Sequence, residues 1–121
     1  MNKISVIIST YNEEQRISTV LKSVKGHHLI REIIVVNDGS SDKTSEVVKK
    51  FSYVKLIEFR KNKGKITAMK KGCEAAKSNI VLFLDADLRN LTHKKLYLDV
   101  FSVVFWVLEL YRSGTYYQRK M

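Results

Sequence analysis

The sequence predicts an α/β fold: a mainly parallel sheet with helices on both faces. Three observations carry this reading. Short β-branched apolar runs alternate with stretches of helical period, strand first and strand last. Most of those runs are apolar nearly throughout, as strands covered on both faces must be. Polar residues cluster just after each run, where an open parallel sheet holds its ligands.

"KISVIIST" (3–10) is the first strand. Over 13–25 the period changes, with Ile17, Val20, Leu21 and Val24 at helical spacing. Asn12 is the expected N-cap, and Gln15 follows three residues on as in a capping box. "EIIVVND" (32–38) is a second strand that stops at an acid. "GSSD" (39–42) is turn chemistry, and Ser41 or Asp42 should cap a helix from Thr44 to Phe51. "YVKLIEF" (53–59) alternates, which suits a half-exposed edge strand. A basic loop at 60–65 leads into a helix over 66–77. Met69, Cys73 and Ala76 mark its packed side, and Gly72 allows close approach. "NIVLFL" (79–84) is the fourth strand. His27 and His28 fall in a turn without metal-ligand spacing and are expected to face solvent.

A length of 121 residues suits one domain, and 45% hydrophobic content is enough for a real core. Proline is absent, so turns fall to Gly, Asn, Asp and Ser. The net charge of +10 invites nucleic acid, an anionic membrane surface or phosphorylated small molecules. Six basic residues and no acid lie in "RKNKGKITAMKK" (60–71), which puts much of that charge on the ligand rim. No surface motif interleaves aromatic and basic residues, so nucleic acid is not an expected partner. Dinucleotide and P-loop sites are unsupported: the chain has neither G-x-G-x-x-G after its first strand nor G-x-x-x-x-G-K-[ST]. The single cysteine, Cys73, excludes an internal disulfide and a Cys-rich zinc site. With an N-terminal apolar run too short for a signal-peptide core, it points to a reduced, cytoplasmic setting.

The chemistry is on the rim. "IVLFLDADL" (80–88) runs a buried-looking strand into Asp85 and Asp87, with only Ala86 between them. Like charges so placed repel unless something positive sits between, and two hard oxygen ligands suit Mg²⁺ or Mn²⁺. Such a cation needs further oxygens, which phosphates supply. Asp38 closes the second strand on the same rim, one step early for a simple cap, and is a candidate to bond a ligand base. Lys61, Lys63 and Lys65 face the same region and can neutralise a diphosphate.

Together "SVIISTYNEE", "EIIVVNDGSSDKT", "NKGK" and "FLDADL" resemble, in order and spacing, successive motifs of the family 2 glycosyltransferases. The resemblance covers about residues 3–92. It implies a GT-A-type fold, a Rossmann-like nucleotide-binding half followed by an acceptor half. It further implies that Thr10, Tyr11 and Glu13 line the nucleotide pocket and that Asp38 contacts the base, commonly uracil. Lys63 and Gly64 would lie beside the nucleotide, Asp85 would hold ribose or metal, and Asp87 would be the main protein ligand of the cation. The implied reaction is inverting transfer of a sugar from a nucleotide diphosphate, with a UDP-sugar favoured and the acceptor open.

The pattern breaks after Thr92. Residues 1–92 read as the nucleotide-sugar-binding domain, and 93–121 as a tail that is not a domain of its own. The tail holds "VFSVVFWVL", nine residues without a charge, where a membrane span needs about 20. A buried element is the plain reading; a peripheral contact at the inner membrane face or an oligomer contact is the other. Asp99 and Glu109 lack the context of a catalytic base. The expectation is therefore a chain truncated after its D-x-D motif, either a glycosyltransferase or an inactive nucleotide-sugar-binding or partner module.

Overall fold

The computed structural model describes residues 3–87. Seven elements follow one another: β1 (Ile4–Thr10), α1 (Ile17–Val24), β2 (Ile30–Asn37), α2 (Thr44–Lys49), β3 (Val54–Glu58), α3 (Lys65–Ala75) and β4 (Ile80–Asp85). The four strands form one parallel sheet in the order β3-β2-β1-β4. β1 and β2 run through its middle; β1 is buried nearly throughout and β2 from Ile33 to Asn37. β3 lies at an edge, as its alternation requires.

Strand order explains the layers. From β1 the chain steps outward to β2 and β3, then returns past β1 to lay down β4. Successive crossovers of one hand therefore put α1 and α2 on one face and α3 on the other. Val6 and Ile8 of β1, Ile33 and Val35 of β2, and Leu82 and Leu84 of β4 pack on Ile17, Val20, Leu21 and Val24 of α1 and Val48 of α2. Ile34 and Val36 turn the other way and meet Ala68 of α3. Full burial of each such aliphatic side chain is worth about 1.5–3 kcal/mol. The fit under α3 is close: a Cβ on Gly72 would lie 2.4 Å from Ile7 Cγ2. Glycine is what lets this helix reach the sheet.

Several boundaries move, each for a visible reason. α1 starts at Ile17, four residues past the expected 13, and no side chain caps it. Asn12 is not its N-cap; it sits at φ 53° and bonds the β2–α2 loop instead. Gln15 forms no capping box there. Lys43 precedes α2, which ends at Lys49, while Asp42 accepts the Thr44 N–H at 3.0 Å and closes the turn before it. In α3 the buried residues are Ala68, Met69 and Gly72; Cys73 is only partly buried. His27 is also a correction. It is 5% exposed, not solvent-facing, because its Nδ1 accepts the Leu29 N–H at 3.2 Å and so folds the turn into β2. His28 stacks on it from the exposed side.

At the foot of the sheet, Glu32 accepts from the Ser5 hydroxyl and the Lys77 N–H, each at 2.6 Å. Ser5 Oγ in turn accepts the Ser78 N–H at 3.2 Å. This knot ties the α3–β4 turn to both central strands. No helix among the described residues is long and apolar enough to cross a membrane. The tail 93–121, with Asp99, Glu109 and the membrane or oligomer contact expected of it, lies outside the described residues.

Candidate functional site

Register alone assembles the rim. Ser9 pairs with Asp85, Thr10 with Asn37, and Asn37 with Glu58, so the strand ends stand level. β1 and β4 are the neighbours between which the strand order reverses. An open α/β sheet binds its ligands outside the carboxyl ends of the strands at such a point.

Two loops frame that opening and brace one another. Asn12 Oδ1 accepts the backbone N–H of Ser41 at 2.8 Å and of Asp42 at 3.3 Å. In return the Asn12 N–H donates to Ser40 Oγ at 2.9 Å, that of Glu13 to Thr44 Oγ1 at 3.0 Å, and that of Glu14 to Asp42 Oδ2 at 3.3 Å. Burial pushes the Asp42 carboxyl up, but the Thr44 hydroxyl and the backbone N–H groups of Thr44 and Glu14 outweigh it and hold the group below its usual range. The left-handed backbone at Asn12 costs little, because a short polar side chain tolerates it and here satisfies the facing loop.

Asp38 is 4% exposed. Its Oδ1 accepts the Lys63 N–H at 2.7 Å and its Oδ2 the Gly64 N–H at 3.1 Å. Gly39 beside it has φ +74°, and a Cβ there would lie 2.5 Å from the Asn62 nitrogen. The β2 end and the basic loop thus touch backbone to backbone. The loop is pinned immediately before α3 begins.

Between the strand ends and these loops opens a cavity of about 320 Å³. Thr10, Tyr11, Glu13, Asp38, Asp85 and Asp87 line it, as do Ser9, Lys65 and Ala86. Six of the expected site residues therefore meet in one place. Lys63 and Gly64 do not line it. Their N–H groups are spent on Asp38, and Lys63 Nζ lies 4.7 Å from the centre of the Phe59 ring.

The charges are uneven. Glu13, Asp38, Asp85 and Asp87 bring four carboxyl groups to the lining, against one lysine. Lys65 Nζ stands 2.6 Å from Asp85 Oδ1, and Arg16 NH1 4.0 Å from Asp87 Oδ2 and 3.7 Å from Glu13 Oε2. The sequence placed Lys65 on the rim as a diphosphate partner rather than beside Asp85, and it missed Arg16. Extending α1 back to residue 13 hid Arg16 inside a helix; it is in fact the residue just before it. The Thr10 hydroxyl is buried at the cavity wall with no hydrogen-bond partner among the described residues. Such a group is costly unless something meets it.

The donor set fits a hard divalent cation. Asp85 and Asp87 are oxygen ligands two residues apart that open on one cavity, and its acid-rich wall repels an anion unless a cation intervenes. No group of three or more His, Cys, Asp or Glu among the described residues can hold a metal. Any cation here would take most of its ligands from a bound molecule and water.

Comparison with known proteins agrees with the geometry. Over 88 residues the chain is 38% identical to the poly-beta-1,6-N-acetyl-D-glucosamine synthase of Staphylococcus epidermidis, covering 69% of this chain but 21% of that protein. The fold is similar to glucosyl-3-phosphoglycerate synthase from Mycobacterium tuberculosis, solved with Mn²⁺, UDP and glucosyl-3-phosphoglycerate. The TM-score is 0.72 at 27% identity, covering 88% of this chain and 40% of that one. It is also similar to a mannosyltransferase from Pyrobaculum calidifontis in complex with GDP-Man and Mn²⁺, with a TM-score of 0.66 at 28% identity, covering 71% and 28% of the two chains. The chain therefore spans about a fifth of the curated relative and well under half of either structure. The family model for glycosyl transferase family 2 matches residues 5–97, and with the D-x-D cavity at the sheet's switch point this chain belongs to that family.

Proposed function

We propose that residues 3–87 hold the nucleotide diphosphate part of a sugar donor together with Mg²⁺ or Mn²⁺, with a UDP-sugar favoured. The observation that carries the reading is the cavity itself, four carboxyl groups and one lysine at the sheet's switch point. An acid-rich pocket of that size suits a diphosphate only through a cation. Both structural relatives were solved with Mn²⁺ and a nucleotide, UDP in one and GDP-Man in the other.

Roles follow from position. Asp87 and Asp85 would hold the cation. Thr10, Tyr11 and Glu13 form the wall against which the nucleoside lies, and the buried Thr10 hydroxyl gains a partner there. Asp38 borders the base pocket. Because both its oxygens already accept backbone N–H groups, it meets a base with its remaining lone pairs. Lys65 faces the diphosphate, and Lys63 and Gly64 fix the loop that carries it. A cation held by Asp85 and Asp87 would supply Lewis-acid stabilisation of the negative charge growing on the departing nucleotide diphosphate. The chain's own share is to orient the donor and place the sugar at the open mouth, where an acceptor hydroxyl approaches from the far side with inversion.

Transfer also needs a general base for the acceptor. Donor binding is the function that the described residues support, and a binding module without turnover is the second reading. Acceptor identity and any peripheral membrane contact rest on the remainder of the protein.

Calorimetric titration of UDP into the chain tests the proposal, with and without Mn²⁺. We expect binding that needs Mn²⁺ and is lost in Asp87→Ala. Binding indifferent to both metal and Asp87, or no binding of UDP or GDP by the folded chain, contradicts it.

A further inference from the structure

A cationic side chain stands beside each of the two D-x-D carboxylates. Lys65 Nζ is 2.6 Å from Asp85 Oδ1, and Arg16 NH1 is 4.0 Å from Asp87 Oδ2. They come from the helices on opposite faces of the sheet, Lys65 as the first residue of α3 and Arg16 as the residue before α1, where it meets the lining acids Glu13 and Asp87. We infer that Lys65 and Arg16 are exchangeable counter-ions. They neutralise the D-x-D carboxylates within the chain; when donor and metal bind, they release those carboxylates and move to the diphosphate oxygens. The inference rests on the donor-site reading and adds to it a competition between the chain's own cations and the metal.

The geometry suits an exchange better than a fixed bridge. The backbone at Lys65 is held, because Asp38 pins the two preceding N–H groups and Gly64 turns the chain at φ 93°. The side chain is not held to the same degree. It is 47% exposed, and that of Arg16 is 53% exposed. A flexible lysine stem with a point charge can swing by a few ångströms without disturbing the helix that carries it. Both partners are acids that a divalent cation would claim more strongly than a half-exposed ammonium can. Once displaced, the two cations stand beside the space where the diphosphate would lie. They then balance charge that a single divalent ion among four carboxyl groups leaves uncompensated.

Exchange makes a prediction of opposite signs. Replacing Lys65 by Gln removes the competitor for Asp85, so Mn²⁺ alone should bind about two- to fivefold more tightly, the span expected for a partly exposed ion pair. The same change removes a diphosphate partner, so UDP at saturating Mn²⁺ should bind more weakly by at least as large a factor. Arg16→Gln should repeat both signs with a smaller effect on Mn²⁺, since its contact is longer. Free Mn²⁺ is read by electron paramagnetic resonance, UDP by calorimetry, and the fold of each variant by circular dichroism. Lys65→Arg should restore UDP binding.

Opposite signs in Lys65→Gln support the exchange. Mn²⁺ and UDP affinities that fall together, or Mn²⁺ affinity that does not move, overturn it while the donor site stands. A wild-type chain that takes up no Mn²⁺ even in the presence of UDP overturns both the donor site and the exchange.

Discussion

Asp38 shows how one side chain sets the geometry of another that it does not touch. Buried at the end of β2, it spends its two oxygens on the N–H groups of Lys63 and Gly64, and so decides where α3 begins and where Lys65 stands. Asp38→Ala leaves two inward-facing N–H groups without acceptors, and each such loss costs roughly 1–3 kcal/mol. We expect a fall of about 2–4 kcal/mol in unfolding free energy by urea denaturation, together with loss of UDP binding. An Asp38→Ala chain as stable as the wild type would mean that the loop finds its place without the carboxylate. Asp38 was legible in the sequence as a rim acid that comes too early for a cap. Its partners were not, because they lie 25 and 26 residues away across a loop whose path only the fold supplies. Asn12 failed for a related reason. A polar residue before an apolar helical period reads as an N-cap, whereas its left-handed backbone aims the side chain at the loop after β2.

Elements were more legible than their ends. All four strands and three helices follow from period and β-branching: the central strands carry a continuous apolar run, the edge strand β3 an alternating one, and the helices a 3.6-residue period. The start of α1 was misplaced because residues 13 and 14 donate their N–H groups to Thr44 and Asp42, a tertiary demand that overrides a local cap. The knot at the foot of the sheet had no sequence signal at all. Burial pushes the Glu32 carboxyl up, but the Ser5 hydroxyl, the Lys77 N–H and the charges of Lys77 and Lys55 outweigh it and hold the group below its usual 4.5. A carboxyl lowered on folding stabilises the fold above its unfolded value and loses that contribution as pH falls through the folded one. Wild type should therefore melt above Glu32→Gln at pH 7, and the gap should narrow as pH drops from 4.5 downward. Thermal melts of the two proteins at pH 7 and pH 3 check this. A gap of constant size would show that the carboxylate charge is not what holds the knot.

For the molecule as a whole, topology places the chemistry. Strand order β3-β2-β1-β4 puts the carboxyl ends of β1 and β4 side by side with α1 and α3 on opposite faces. Residues far apart in sequence, Thr10 and Asp85 among them, then share one cavity. The rim was readable because the strands are parallel and their ends polar. Which lysine of the basic loop faces the acids was not, since six cations in twelve residues look alike until a helix start fixes one of them. The same arrangement explains how two acids can follow a buried strand: Lys65 and Arg16 offset the repulsion within the chain, and a metal with a diphosphate would do so on loading.

The most direct test is to add a trace of Mn²⁺ with UDP to the ¹⁵N-labelled chain and record which amide signals broaden. A cation held by Asp85 and Asp87 should broaden the amides of residues 9–13, 38, 65 and 85–87, and spare the foot of the sheet around Ser5, Glu32 and Lys77. Asp87→Ala should abolish the effect. Broadening centred elsewhere, or spread evenly over the surface acids, would contradict a donor site at the switch point.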